Sequence, residues 1–314
     1  MAIARDQTST AREPRASARP KPQRTRKGLS FEGKMLAPAL LVLALVSIFP
    51  FLYIIAMSFS NVRMIGGISF EWAGLSNWTR LLGDTAVWGS WLRSILFFVL
   101  SVGLQMFLGI AAALAIYETR RGRNIITSLV LMPMFMAPVI VGLLGRFLTD
   151  STYGLYAWVL RTLGLYTGDI LGNTTSAFIA VTLMDIWEWT PLIALIVLAG
   201  LSSLPTAVLE AAAMDGASYW GRLRDIVLPM IAGVIVVALL IRSMDAIRYF
   251  DIITNTTNGG PADATKIVPI RLYETAFRFF DLGYAAAIGL SMLAVTIVMA
   301  NIFMGILKRR GLAK

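Results

Sequence analysis

The chain has 314 residues, 57% of them hydrophobic and only 15% charged, and its mean hydropathy is +0.72. No soluble domain of this length has an interior large enough to hide that much apolar side chain, whereas lipid accepts it directly, so the composition indicates a membrane protein. Cysteine and histidine are both absent, which removes disulfides, thiolate nucleophiles, imidazole acid–base chemistry and the usual zinc sites.

The net charge of +10 is concentrated at the termini: residues 1–34 carry nine Lys/Arg against three acids, and the last seven residues carry four more. Basic termini beside apolar runs read as membrane anchors and not as a face for nucleic acid. Residues 1–34 are expected to form a disordered basic tail and residues 308–314 a second basic tail. The first tail is too long, and its following apolar run too extended, for a cleavable leader. A near-miss to a phosphate loop, Gly28 to Met35, lacks the Ser/Thr that would hold magnesium and follows no strand, so it carries no nucleotide chemistry.

Six stretches reach the roughly 20 apolar residues that cross a bilayer, at about 35–57, 94–117, 125–146, 177–201, 229–250 and 284–307. The fold class expected is an all-α membrane protein with six transmembrane helices over 35–307. The N-terminal tail, the 118–124 and 202–228 loops and the C-terminal tail hold 18 Lys/Arg, against six in the alternate loops once Arg93 and Arg146 are set aside as span-edge residues. That bias puts both termini in the cytosol. In the outer loops, residues 70–82 and 153–165 are amphipathic and rich in Trp and Tyr, which suits the membrane interface or an external partner. The third span contains Pro133 and Pro138 followed by Gly142 and Gly145, a pattern that predicts a kink lining a cavity. Met134 and Phe135 beside it suit contact with solute and packing equally.

The cytosolic segment 202–229 predicts helix, turn, helix. Pro205 suits a first helical turn, Thr206 to Met214 are mostly good helix formers, Gly216 supplies a left-handed stop, and Ser218 is a natural N-cap. Its Glu210-Ala211-Ala212, three residues, Gly216, nine residues, Ile226-x-Leu228-Pro229 resembles the EAA motif of the permease subunits of ATP-binding-cassette (ABC) importers. The resemblance implies that Glu210, Ala211, Ala212, Asp215, Gly216, Ile226, Leu228 and Pro229 form a rigid hairpin that docks on a separate ATPase. Rigid-body motion of the spans would then follow ATPase closure.

The fourth span contains Asp185, Glu188 and Trp189, and the fifth Arg242, Asp245, Arg248 and Tyr249. Ionisable groups at membrane depth are costly and mark pathways. The i, i+3 spacings put each cluster toward one helical face. Two readings stay open: acids and arginines pair into a buried seal, or they line a cavity in which carboxylates, Arg donors and aromatic faces receive a polyhydroxylated solute.

The similarity extends over about 35–307, through Gly74-Leu75-Ser76-Asn77-Trp78, Leu131-Met132-Pro133, Trp187-Glu188-Trp189-Thr190-Pro191 and Thr256-Thr257-Asn258-Gly259-Gly260-Pro261. It points to the carbohydrate (maltose/trehalose/glycerol-phosphate) branch of binding-protein-dependent inner-membrane permeases. The resemblance implies a second homologous permease subunit, an ATPase dimer that carries the ATP and magnesium, an extracytoplasmic solute-binding protein and a sugar substrate. It implies a non-enzymatic chain, multi-pass in a bacterial cytoplasmic membrane and surrounded by lipid, with no cofactor or metal of its own and no nucleic acid. A different small polar solute, such as glycerol phosphate, or an ATP-independent secondary transporter, are the alternatives.

Overall fold

The computed structural model describes residues 31–63 and 69–309; the basic tails expected at 1–34 and 308–314 lie almost wholly outside these residues. The chain divides into two compact units, Met1–Pro50 and Phe51–Lys314. Helix α1, Phe31–Ser58, contributes the described part of the first unit and enters the second. It is uncharged from Met35 to Ser58, and its apolar side chains there are exposed, as suits lipid contact.

Within the second unit, β1 (Ser60–Arg63) and β2 (Ser69–Trp72) pair antiparallel, Ser60 opposite Trp72 and Val62 opposite Phe70. The amphipathic 70–82 segment is thus half strand and half helix, the helix being α2, Ser76–Gly83. Asn77 explains why the hairpin and α2 hold together: its Nδ2 donates to the carbonyls of Ser58 at 3.1 Å and Ser60 at 2.9 Å. Phe70, Trp72, Leu75 and Leu82 keep an exposed apolar surface.

Helix α3, Thr85–Glu118, begins at the N-cap of Asp84 and is 34 residues long. Helices α4 (Arg123–Leu131) and α5 (Pro138–Leu148) flank a short 3-10 turn, Met132–Phe135. The predicted kink is a true break: the two helical segments meet at 91°. The two prolines remove backbone donors; Met132 before Pro133 stays helical, with ψ −44, whereas Met136, with ψ 143, and Ala137 before Pro138, with ψ 135, turn extended and make the break. The short helix α6, Leu155–Thr162, follows. Helix α7, Thr174–Ser202, is N-capped by Asn173, whose carboxamide oxygen accepts from the Thr175 and Ser176 amides.

Helices α3 and α7 run side by side in the same direction, since Phe97 meets Phe178, Gln105 meets Asp185 and Gly109 meets Ile193 in turn. Gly109 is required by the approach, because a Cβ there would fall 2.6 Å from the Ile193 Cβ. In lipid, helices associate through such close packing and through polar contacts more than through apolar burial.

Segment 202–229 folds into α8 (Thr206–Met214), α9 (Tyr219–Arg222), a π turn at Leu223–Val227 and α10 (Leu228–Met230). The fifth span then continues as α11, Ala232–Ala246, at 65° to the preceding segment. The helix therefore stops before Arg248 and Tyr249, which the sequence assigns to the span. Residues 251–283 are not a free loop. They form α12 (Asp251–Thr256), α13 (Val268–Tyr273) and a π turn at Glu274–Arg278, ahead of the last span α14, Leu282–Arg309. Ile252, Ile253, Ile267 and Ile270 from this segment pack with Phe97, Val141, Val181 and Tyr249 as one core. Thr256 Oγ1 donates to the Gly142 carbonyl at 3.1 Å, and Ser94 Oγ accepts from the Val268 amide at 2.9 Å. Among the described residues, four long helices and two bent pairs make six spans if each pair crosses once.

Candidate functional site

The polar residues of α3, α7 and α11 meet at one place. Arg242, wholly buried, engages all three guanidinium nitrogens: Nε donates to Gln105 Oε1 at 2.7 Å, Nη1 to Asp245 Oδ2 at 2.6 Å and Nη2 to Asp185 Oδ1. Asp185, also wholly buried, accepts further from Ser101 Oγ and from Gln105 Nε2 at 2.9 Å. Both charges can exist at this depth because each is paired and hydrogen-bonded. The guanidinium carbon lies 5.3 Å from the Trp189 ring centroid and 5.7 Å from that of Tyr249, near enough for cation–π attraction.

Around this saturated core sits a set of poorly satisfied groups. Glu188, Trp189 Nε1, Ser243 Oγ and Tyr249 Oη are buried and make no close hydrogen bond among the described residues, although Trp189 faces Glu188 and Tyr249 faces Asp185. The Asp245 side chain is 48% exposed. Arg248 is exposed and turned back, its Nε donating to the Met244 carbonyl at 3.2 Å. Among the described residues no group of acids could hold a metal ion.

The second feature is the 202–229 hairpin. Gly216 adopts φ +77, a conformation that costs other residues about 1–2 kcal/mol. The Ala217 amide donates to the Ala212 carbonyl at 3.0 Å and the Gly216 amide to that of Ala213 at 3.1 Å, closing α8 with a Schellman stop. Ser218 Oγ accepts from the Gly221 amide at 3.1 Å and caps α9. Glu210, Ala211, Asp215, Gly216 and Pro229 are exposed; Ala212 is buried; Ile226 and Leu228 are half-buried. Leu228 and Val227 pack with Leu201, Ile231, Ile116 and Ile193, so one arm is rooted in the spans while the other projects. Met214 and Trp220 add exposed apolar area, at 88% and 74%.

Residues 105–311 match the family described as binding-protein-dependent transport system inner membrane component. The chain belongs to this family. The permease is 36% identical over 228 residues, 72% of its length and 76% of the relative's, to the trehalose/maltose transport system permease protein MalF of Thermococcus litoralis. It is 30% identical over 277 residues, 88% of its length and 90% of the relative's, to the sulfoquinovosyl glycerol transport system permease protein SmoG of Agrobacterium fabrum. A crystal structure of a bacterial ABC transporter involved in import of the acidic polysaccharide alginate contains a chain of the same fold, with a TM-score of 0.77. That match covers 88% of the permease and 94% of the other chain at 22% identity. These relatives are transport permeases, and the branch expected from the sequence, the carbohydrate importers, is the one the permease joins as a multi-pass inner-membrane protein.

The structure brings together six of the seven residues expected along the pathway: Asp185, Glu188, Trp189, Arg242, Asp245 and Tyr249. Arg248 stands apart from that core at the surface. Two members of the cluster were not anticipated, Ser101 and Gln105. Their signal was present: they are polar residues four apart in an otherwise apolar helix, hence on one face. An inventory of charges alone passes over them.

Proposed function

We propose that the permease forms half of the translocation pathway of an ABC importer for a sugar or oligosaccharide, delivered by an extracytoplasmic solute-binding protein. In this reading both termini are cytosolic, a second homologous permease completes the pathway, and the 202–229 hairpin couples to a separate ATPase dimer that binds ATP and magnesium. The observation that carries it is the saturation of Arg242. With Nε, Nη1 and Nη2 all engaged, the cluster offers carboxylate acceptors, hydroxyl and indole donors and aromatic faces, but no cation from its core. Those groups suit a neutral, hydroxyl-rich ligand whose C–H faces stack on rings, and they suit a phosphate poorly. The poorly satisfied Glu188, Trp189, Ser243 and Tyr249 atoms are the groups a solute or second subunit would satisfy, since leaving them bare is costly. The exposed Glu210–Gly216 arm, joined to a second arm that is rooted through Leu228, supports the coupling role, and the names of the two relatives, built on sugars, support the solute class.

The test is reconstitution of the permease in proteoliposomes with its second permease, ATPase and binding protein. Labelled trehalose, maltose and glycerol 3-phosphate are offered in turn. Disaccharide uptake that requires ATP and all four components is expected. Uptake of glycerol 3-phosphate alone would overturn the sugar reading, and uptake without the ATPase would overturn the ABC reading.

A further inference from the structure

We infer that Gln105, backed by Ser101, is the positioning residue of the solute wall: it orients Arg242 and, through Arg242, holds Asp245 at the wall's surface. This rests on the reading above, in which Asp245 and Trp189 meet solute. Gln105 lies within α3, far from either end, and is fully buried. Its carboxamide is used in both directions. Oε1 accepts from Arg242 Nε at 2.7 Å, while Nε2 donates to the Asp185 carbonyl at 3.0 Å, to Asp185 Oδ2 at 2.9 Å and to Ser101 Oγ at 2.9 Å.

Only a side chain with an acceptor and donors at this reach serves both neighbours. A carboxylate would accept from Arg242 but repel Asp185, a lysine would do the reverse, and serine would be too short. With Nε held from α3 and Nη2 from α7, the plane of the guanidinium has no rotational freedom left. Nη1 is therefore directed at Asp245 Oδ2, 2.6 Å away on the next turn of α11. The Arg242 side chain has no exposure and that of Asp245 48%, so the pair runs from the interior to the surface. The same fixed guanidinium lies against the rings of Trp189 and Tyr249. Gln105 touches no solute in this arrangement; it decides where the groups that do so stand, and small errors of placement there translate into altered selectivity.

The experiment uses the complete transporter in proteoliposomes with saturating loaded binding protein, and trehalose and maltose as probes. Uptake ratios for the two sugars are compared for Gln105→Met, Asp245→Asn and the double variant, with assembled complex quantified by co-purification. A residue that only glues helices together would lower uptake of both sugars alike. Positioning predicts that Gln105→Met shifts the ratio about fivefold, in the same direction as Asp245→Asn, and that the double variant shifts it no further. Multiplying effects, or a Gln105→Met ratio equal to wild type, overturn the inference while leaving the solute wall standing. An Asp245→Asn variant with unchanged rates and ratio overturns the wall itself, and the inference with it. Should Gln105→Met fail to assemble, Ser101→Ala, which removes an acceptor of Gln105 and a donor to Asp185, decides the matter: a shift of about twofold in the same direction supports the inference, and none overturns it.

Discussion

Arg242 concentrates the energetics of the intramembrane cluster in one side chain. Removing it leaves Asp185 buried with only Ser101 and Gln105 as close hydrogen-bond partners, beside Glu188, which makes no close hydrogen bond. Arg242→Met is expected to destabilise the purified permease complex by about 3–5 kcal/mol, whereas Asp245→Asn, at a half-exposed site, costs under about 1 kcal/mol. Adding Asp185→Asn to Arg242→Met restores part of the loss, because the stranded charge is gone; thermal unfolding of the three variants checks the order. A second residue sets the acid limit outside the spans. Burial pushes the Asp84 carboxyl up, but a hydrogen bond from Tyr284 Oη at 2.6 Å and those from the Ala86 and Val87 amides at 2.9 and 3.3 Å outweigh it and hold it below the ordinary carboxylate value. A lowered folded pKa stabilises in full above the unfolded value of about 3.9, and the stabilisation is lost as pH falls through the folded one. Asp84→Asn keeps an N-cap acceptor but cannot titrate. Its unfolding temperature is expected to fall less than wild type's when pH is lowered from about 5 to about 3.

At the scale of elements, the two bent pairs show how far local chemistry reaches. Pro133 and Pro138 are enough to foresee a disturbed third span. The 91° angle is set by what α5 packs against, namely α12, a helix that composition assigns to an outer loop. Non-helical backbone at membrane depth survives only where protein or water satisfies it, and the chain does part of this itself, the Met136 amide donating to the Pro133 carbonyl at 3.1 Å. The hairpin is the opposite case. Its stop at Gly216 and cap at Ser218 follow from residue identity alone, and the left-handed φ of +77 requires glycine. A Cβ there would meet nothing within 4 Å, so a substitution acts through backbone strain and through whatever the exposed arm touches. Gly216→Asp and Glu210→Lys are therefore expected to cut uptake at least about tenfold while the amount of permease in the membrane stays unchanged. Normal uptake by both variants would remove the coupling role.

At the scale of the whole molecule, the Lys/Arg bias makes a prediction about sidedness that the absence of native cysteine renders simple to check. Arg121→Cys lies in a short loop expected to be cytosolic, and Thr152→Cys in one expected to be external; both positions are exposed. A membrane-impermeant maleimide added to intact spheroplasts should label Thr152→Cys alone. Labelling of Arg121→Cys alone would invert the topology. The sequence by itself determined the membrane class, the number of apolar stretches and the hairpin, because lipid imposes its demands residue by residue: each span must be apolar along its length and must satisfy its own backbone. Tertiary structure decided which polar groups meet. Whether Asp185 pairs with Arg242, and whether Gln105 stands between them, depends on how α3, α7 and α11 are rotated about their axes and how closely they approach at Gly109. Ile252, Ile253, Ile267 and Ile270 likewise become core only because α12 and α13 fold back onto α3 and α5, contacts far apart in the chain that leave no periodic trace in it.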